Sequence, residues 1–290
     1  MISDAAKAIL LIAVLAIIWG SSFILMKYGL HVYSPTQVGS LRMGVSFLCL
    51  LPFILNSFSK VPRSRWKYVA AAGILGNGIP AILFPIAQTG ISSALAGMIN
   101  SLTPLFTLIV GVTFYNMTVT RNRMLGLLLG LAGALILISS RAEGHMRYSY
   151  IYSIVVVIAT ICYAFSVNIL RNNLSDIDSL SLTGFALMFV GPPASVFLFS
   201  TDFIQRTHEV PHSEISLYSI IILAVFGTAI STYLFNRLIK RAGALFASSV
   251  TYLIPVVAVI WGIFDGERFS IFYFLGLMAV LSGVYLINVE

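Results

Sequence analysis

Eight uncharged side chains and one arginine are the residues of this chain whose types and positions could do chemistry. Trp19, Ser22, Asn77, Asn100, Tyr163, Thr228, Thr251 and Tyr252 lie deep in long apolar stretches, and Arg42 lies about seven residues, or ~10 Å at 1.5 Å per residue, into the second of them. Hydroxyls, amides and aromatic faces at such depth suit the holding of a small polar molecule, and a guanidinium adds a preference for a carboxylate. Acid chemistry is missing at that depth. Asp4, Glu143, Asp176, Asp178, Asp202, Glu209, Glu214, Asp265, Glu267 and Glu290 all fall outside the interiors of the apolar stretches, as do the four histidines, so no midplane proton relay is available. Each candidate also has a plainer role: Asn and Thr serve as hydrogen-bonded glue between helices, and Arg42 can snorkel to an interface.

Two prolines mark where these side chains sit. The stretch from Ala94 to Gly111 reads ALAGMINSLTPLFTLIVG and that from Leu245 to Gly262 reads LFASSVTYLIPVVAVIWG. Pro104 and Pro255 each remove one helical hydrogen bond and free the carbonyl four residues back, on Asn100 and Thr251. Irregular polar backbone at membrane depth is tolerated only against protein or a water-filled cavity, so the two prolines are expected hinges beside a paired polar site.

The elements that position this site are membrane helices. Of 290 residues 59% are apolar and 9% charged, and ten stretches of about 20 residues, the length that spans a bilayer, can be cut at approximately 8–28, 36–57, 67–87, 91–115, 124–140, 149–170, 180–200, 215–236, 243–264 and 270–288. The first of them is read as a retained span and not a cleaved signal. The gaps between stretches are too short for a soluble domain, and the dispersed basic residues form no stripe for nucleic acid. With the N-terminus in the cytoplasm, the inner ends collect Lys7, Lys60, Arg63, Arg65, Lys67, Arg121, Arg123, Arg171, Arg237, Lys240 and Arg241, against Lys27, Arg141, Arg147, Arg206 and Arg268 outside. That asymmetry puts both termini in the cytoplasm.

The ten stretches are one five-span unit used twice. A shift of 151 sets Gly76, Asn77, Leu83 and Phe84 on Gly227, Thr228, Leu234 and Phe235, and Pro104 on Pro255; a shift of 144 sets Trp19 and Ser22 on Tyr163 and Ser166. Five is odd, so the second copy enters the membrane from the opposite side. The expected fold is therefore an all-α polytopic membrane protein of ten transmembrane helices in two inverted five-helix repeats, 1–142 and 143–290, forming one membrane domain.

Other motifs carry less. His208-Glu209-Val210-Pro211-His212 matches the zinc-protease pattern HExxH in letters, but Pro211 disfavours the single helix turn that pattern needs. No nucleophile elbow, phosphate loop or dinucleotide fingerprint is present, so neither enzymatic activity, metal nor cofactor is expected. Cys49 and Cys162 lie within spans and read as buried hydrophobes, with no disulfide framework. Gly126, Gly130, Gly133 and Ala134 form a small-residue ridge on the fifth span that serves either packing within the chain or a homodimer face.

The WGSSF of the first span, the proline-centred fourth and ninth spans and the GERFSIFYFLG junction before the last span resemble the EamA-like branch of the drug/metabolite transporter superfamily. The resemblance covers essentially the whole chain. It implies a central cavity built from spans one to four and six to nine, with amino acids, their derivatives and other small metabolites as cargo, often for export. In one place the pattern departs: Glu267 stands in the second Gly-Glu junction and Met117 in the first.

Together these readings predict a secondary transporter in the bacterial inner membrane. It moves a small neutral or zwitterionic metabolite by alternating access, working as a monomer or homodimer. Its partners are the small-molecule substrate and the lipid bilayer, with no nucleic acid. A passive channel-like facilitator, a lipid-intermediate flippase and a membrane scaffold are the alternatives.

Overall fold

The computed structural model describes residues 4–55, 60–139, 149–248, 250–267 and 269–288, with the backbone alone at 4–8, 149, 242–246, 248 and 288. The expected boundary between halves at 142/143, the outer-end basic residues Arg141, Arg147 and Arg268, and His145 lie outside the described residues. All regular structure among the described residues is helical: α1 Asp4–Leu30, α2 Pro35–Leu55, α3 Trp66–Gly73, α4 Ile79–Gln88, α5 Ser93–Asn100, α6 Thr103–Tyr115, α7 Arg121–Ser139, α8 Ser149–Asn173, α9 Ser179–Phe199, α10 Phe203–Glu209, α11 Ser213–Ala224, α12 Ser231–Ser248, α13 Val250–Phe264 and α14 Ile271–Asn288, with a short 3-10 turn before α3. Combined where they run on, they give eight helical segments long and apolar enough to cross a membrane, and two shorter apolar helices, α13 and α14.

Burial has the pattern expected of a protein dissolved in lipid. Phe264, Val196 and Leu135 are 81%, 73% and 66% exposed, while Ser46, Thr160 and Gln37 are fully buried. Apolar surface on that scale would be an aggregation hazard in water and is the natural contact with hydrocarbon. This is a multi-pass membrane protein.

Two segments widen into π-helical, i to i+5, hydrogen bonding. Ile74–Gly78 joins α3 to α4 and Val225–Ile230 joins α11 to α12. They are the same place in the two halves, since the 151-residue shift carries Gly76 and Asn77 onto Gly227 and Thr228. A π turn displaces carbonyls from the regular ladder and leaves them open to side chains of other helices. At the second such segment, Ser46 of α2 donates to the Ala224 carbonyl at 2.9 Å and Trp19 of α1 donates to the Gly227 carbonyl at 3.2 Å. Ser166 of α8 donates to the Ala72 carbonyl beside the first, at 2.9 Å.

The proline-bearing stretches differ from each other. The first is not one kinked helix: it breaks at Ser101 and Leu102, and Pro104 lies in the first turn of α6, where a missing N–H costs nothing. The hydroxyl of Thr103 takes up the Asn100 carbonyl at 2.8 Å. Pro255 instead lies inside α13, which runs through it. The two α6-to-α7 and α13-to-α14 turns, by contrast, share one geometry: the Met117 N–H donates to Gly111 O at 3.1 Å and the Glu267 N–H to Gly262 O at 2.8 Å, each following a left-handed residue, Asn116 or Gly266.

The glycine ridge of α7 is consumed within the chain. A Cβ at Gly126 would lie 2.5 Å from the Gly283 carbonyl oxygen of α14, and one at Gly133 would lie 2.8 Å from that of Gly276. The contacts are reciprocal, because Gly283 and Gly276 are Gly133 and Gly126 shifted by 150. Ser22 against Gly227 and Ser166 against Gly76 repeat that reciprocity in the interior.

At one end of the bundle the connecting segments are joined by basic side chains. Arg65 donates to the Asn173 carbonyl at 2.7 Å and pairs with Asp176 at 3.6 Å, and Lys240 donates to the Ile177 carbonyl. At the opposite end α10 straps the α1–α2 turn: Gln37 donates to Asp202 at 2.7 Å, Arg206 to the Val32 carbonyl at 3.1 Å, and Tyr33 meets Thr207 at 3.1 Å. The hydrogen bond from Arg206, reinforced by Gln37 against a smaller burial cost, holds the Asp202 carboxyl below the usual carboxylate range.

Candidate functional site

A cavity of about 150 Å³ occupies the middle of the bundle. Ligand sites commonly have mostly apolar walls with a few placed polar groups. Here α1 supplies Trp19, Ser22, Phe23 and Met26, α2 supplies Arg42, the first π segment supplies Gly76 and Asn77, and α5 supplies Asn100. From the later elements come Tyr163 and Ser166 of α8, Thr232, Phe235 and Asn236 of α12, and Thr251 of α13.

Aromatic rings set its shape. Trp19 meets Phe235 edge-on at 5.0 Å, Phe84 stacks on Tyr163 at 5.9 Å and touches Phe23 at 5.7 Å. The Trp19 indole is fixed by donating to both Gly227 O and Ser231 Oγ, the latter at 3.0 Å. Its nitrogen is therefore committed to the scaffold, and the ring face is what a ligand meets.

Arg42 governs the electrostatics. It is 9% exposed, and its Nε donates to the Thr228 hydroxyl at 2.6 Å. Among the described residues that is its one side-chain hydrogen bond, and neither terminal nitrogen of the guanidinium has a partner there. Among the described residues the cavity walls hold no carboxylate, so Arg42 has no counter-charge there. A buried charge of this kind is costly unless something else neutralises it.

The sequence-predicted residues divide into three groups. Trp19, Ser22, Arg42, Asn77, Asn100, Tyr163 and Thr251 share the cavity wall. Thr228 stands behind it as the partner that orients Arg42. Tyr252 is not in the wall and is half-buried against the core. Within the wall, Ser22 donates to its own helix at Ile18 O, 2.9 Å away, and leaves only acceptor capacity. Asn77 makes no hydrogen bond among the described residues, and the Asn100 Oδ1 is buried without a partner.

Ser166, Thr232 and Asn236 were not singled out as site residues. Ser166 had a signal, its equivalence to Ser22. Asn236 had none, because it adjoins Arg237 at the end of an apolar stretch and reads as a boundary; it donates to Thr183 Oγ1 at 2.9 Å and so ties α12 to α9. The HExxH letters do not make one helical face, since α10 ends at Glu209 and His212 has φ 59° beyond it.

The EamA-like transporter family matches this chain twice, at residues 6–139 and again at 151–289. Among curated relatives, the inner membrane transporter YedA of Escherichia coli K12 is 27% identical over 94% of this chain and 88% of its own. An S-adenosylmethionine/S-adenosylhomocysteine transporter of Chlamydia muridarum is 27% identical over 90% and 85%, and a probable amino-acid metabolite efflux pump of Salmonella typhimurium is 22% identical over 93% and 91%. A solved crystal structure covers 97% of this chain and 96% of its own with a TM-score of 0.65 at 14% identity, which shows a shared fold. With the family matched across both halves, the chain belongs to the EamA-like transporter family.

Proposed function

We propose that the protein is a secondary transporter that exports a small neutral or zwitterionic metabolite, an amino acid or a derivative, across the inner membrane by alternating access. The observation that carries this reading is Arg42: a buried guanidinium whose terminal nitrogens have no partner, in a cavity whose wall has no acid, both among the described residues, suits a carboxylate that arrives with its own ammonium. The aromatic faces of Trp19 and Phe235 suit the apolar part of such a molecule, and the amides of Asn77 and Asn100, with the Asn100 Oδ1 buried and unpartnered among the described residues, suit its polar groups. The Chlamydia relative is named for S-adenosylmethionine and S-adenosylhomocysteine and the Salmonella relative for efflux of amino-acid metabolites, which supports an amino-acid derivative as cargo.

Alternating access rests on the repeat. Ten spans in two inverted halves would account for the double family match, the paired π segments and the reciprocal contacts Gly126–Gly283 with Gly133–Gly276. Such halves pack in two near-equivalent ways around one site. In this reading both termini are cytoplasmic, the basic end of the bundle faces the cytoplasm, and the functional unit is a monomer, since the glycine ridge is already occupied.

The absence of an intramembrane acid leads to uniport or exchange, with the substrate moving down its own gradient. In proteoliposomes, uptake of a transported amino acid is expected to be the same with and without an imposed pH gradient. Concentrative uptake that a protonophore collapses would show the coupling to be wrong.

A further inference from the structure

The two ends of the cavity are built differently. Toward the basic end, a second hollow shares Leu170, Leu182 and Asn236 with the cavity and continues to Arg171 and Lys240. Toward the other end the wall finishes at Met26 and Phe84, and the next residue of α1, Lys27, begins a set of polar ties. Glu267 is at their centre, with its side chain 6% exposed. Its Oε1 accepts from the Ser93 N–H at 2.9 Å and its Oε2 from the Ala94 N–H at 3.1 Å, so one carboxylate caps the first turn of α5. Ser92 takes the next free N–H, that of Leu95, at 3.2 Å. Lys27 approaches Glu267 Oε1 at 3.8 Å and also pairs with Asp265. Glu267 and Asp265 follow α13, whereas Lys27 and α5 belong to the first half of the chain.

A carboxylate at a helix N-terminus is held by charge-assisted hydrogen bonds and by the helix dipole, and both are strong where water is excluded. The first half makes the same turn, with the Met117 N–H on Gly111 O, but there the side chain is a thioether that lies over Gly111. It carries no charge to cap a helix. One end of the cavity is thus fastened across the two halves by a buried carboxylate, whereas the corresponding turn at the other end carries the Met117 thioether and, among the described residues, that end is joined by the more exposed pair Arg65–Asp176.

We propose that Glu267 is an ionic latch that holds the cavity shut at the end away from the basic face, and that the Glu267/Met117 difference sets the resting state: open to the basic face, which the charge distribution assigns to the cytoplasm, and closed to the outside. An exporter resting in this form waits with its site toward its substrate. The proposal rests on the cavity being the transport path and adds a residue that positions its gate.

The test is thiol accessibility in the full-length protein, with Cys49 and Cys162 replaced by alanine and a single reporter introduced as Thr103→Cys in the cavity wall. A membrane-impermeant maleimide is applied to right-side-out or inverted vesicles. The latch predicts faster labelling from the basic face, and a rise of about tenfold in the outer-side rate on Glu267→Gln, the scale of losing charged hydrogen bonds. Lys27→Gln, which leaves the α5 cap in place, should give a smaller rise in the same direction. A lower Tm with an unchanged ratio of labelling rates would reduce Glu267 to a structural cap and overturn the latch. Should Glu267→Gln not fold, an unchanged ratio in Lys27→Gln overturns it equally. A reporter unlabelled from either side would instead remove the cavity as a transport path.

Discussion

Arg42→Ala is expected to lower transport kcat/KM by about 100-fold or more, the magnitude of losing a charged, desolvated contact to substrate. The argument comes from what the guanidinium lacks. Its Nε is held by Thr228, and nothing among the described residues satisfies the rest of the fork. Arg42→Lys keeps the charge but loses both the Thr228 bond and the bidentate geometry, so most of the activity should still be lost. Stability should move differently. Replacing an uncompensated buried cation by an apolar side chain, as in Arg42→Met, is expected to leave thermal stability unchanged or raise it by about 1–3 kcal/mol. Arg42 substitutions that lower Tm and transport together would mark the residue as structural; transport at the wild-type rate in Arg42→Ala would remove its role in the site.

The largest effect on folding is expected at the α7–α14 crossing. A Cβ at Gly283 would stand 2.5 Å from the Gly130 nitrogen and 2.6 Å from the Gly126 carbonyl oxygen, both backbone atoms that cannot rotate away. Gly283→Val must push the two helices apart, forfeiting the packing that drives helix association in lipid, and should cost about 3 kcal/mol. Thermal unfolding in detergent measures this. Ser282→Val, one position round the same helix, serves as the control and should change Tm little. Equal Tm values for Gly283→Val and wild type would mean that the crossing contributes nothing to stability.

Much of this architecture was legible in the sequence, because apolar length reports membrane helices directly. The equivalence of Gly76-Asn77 with Gly227-Thr228 located both π segments without revealing them. A π turn changes hydrogen-bond register and not composition, so it leaves no apolar signature. Pro104 and Pro255 align in sequence yet act differently. Thr103 and Ser101 lie beside Pro104 and each bonds a local carbonyl, which supports a break, whereas Pro255 is flanked by apolar residues in a continuous helix. Tyr252 points roughly 100° away from its neighbour Thr251 and packs against the core instead of joining the wall. Arg42 was placed by depth alone, which cannot say which way a side chain turns; Thr228, found as a repeat partner of Asn77, proved to be what orients it.

The most direct measurement is counterflow in proteoliposomes reconstituted with the full-length protein. Vesicles loaded with an excess of unlabelled neutral amino acid are diluted into a trace of the labelled form, and entry of label is followed in wild type and Arg42→Ala. An alternating-access carrier whose site reads a carboxylate through Arg42 predicts a transient overshoot of label in wild type and none in the variant. Label that only equilibrates, with no trans-stimulation in wild type, would contradict the carrier mechanism. An undiminished overshoot in Arg42→Ala would contradict the site.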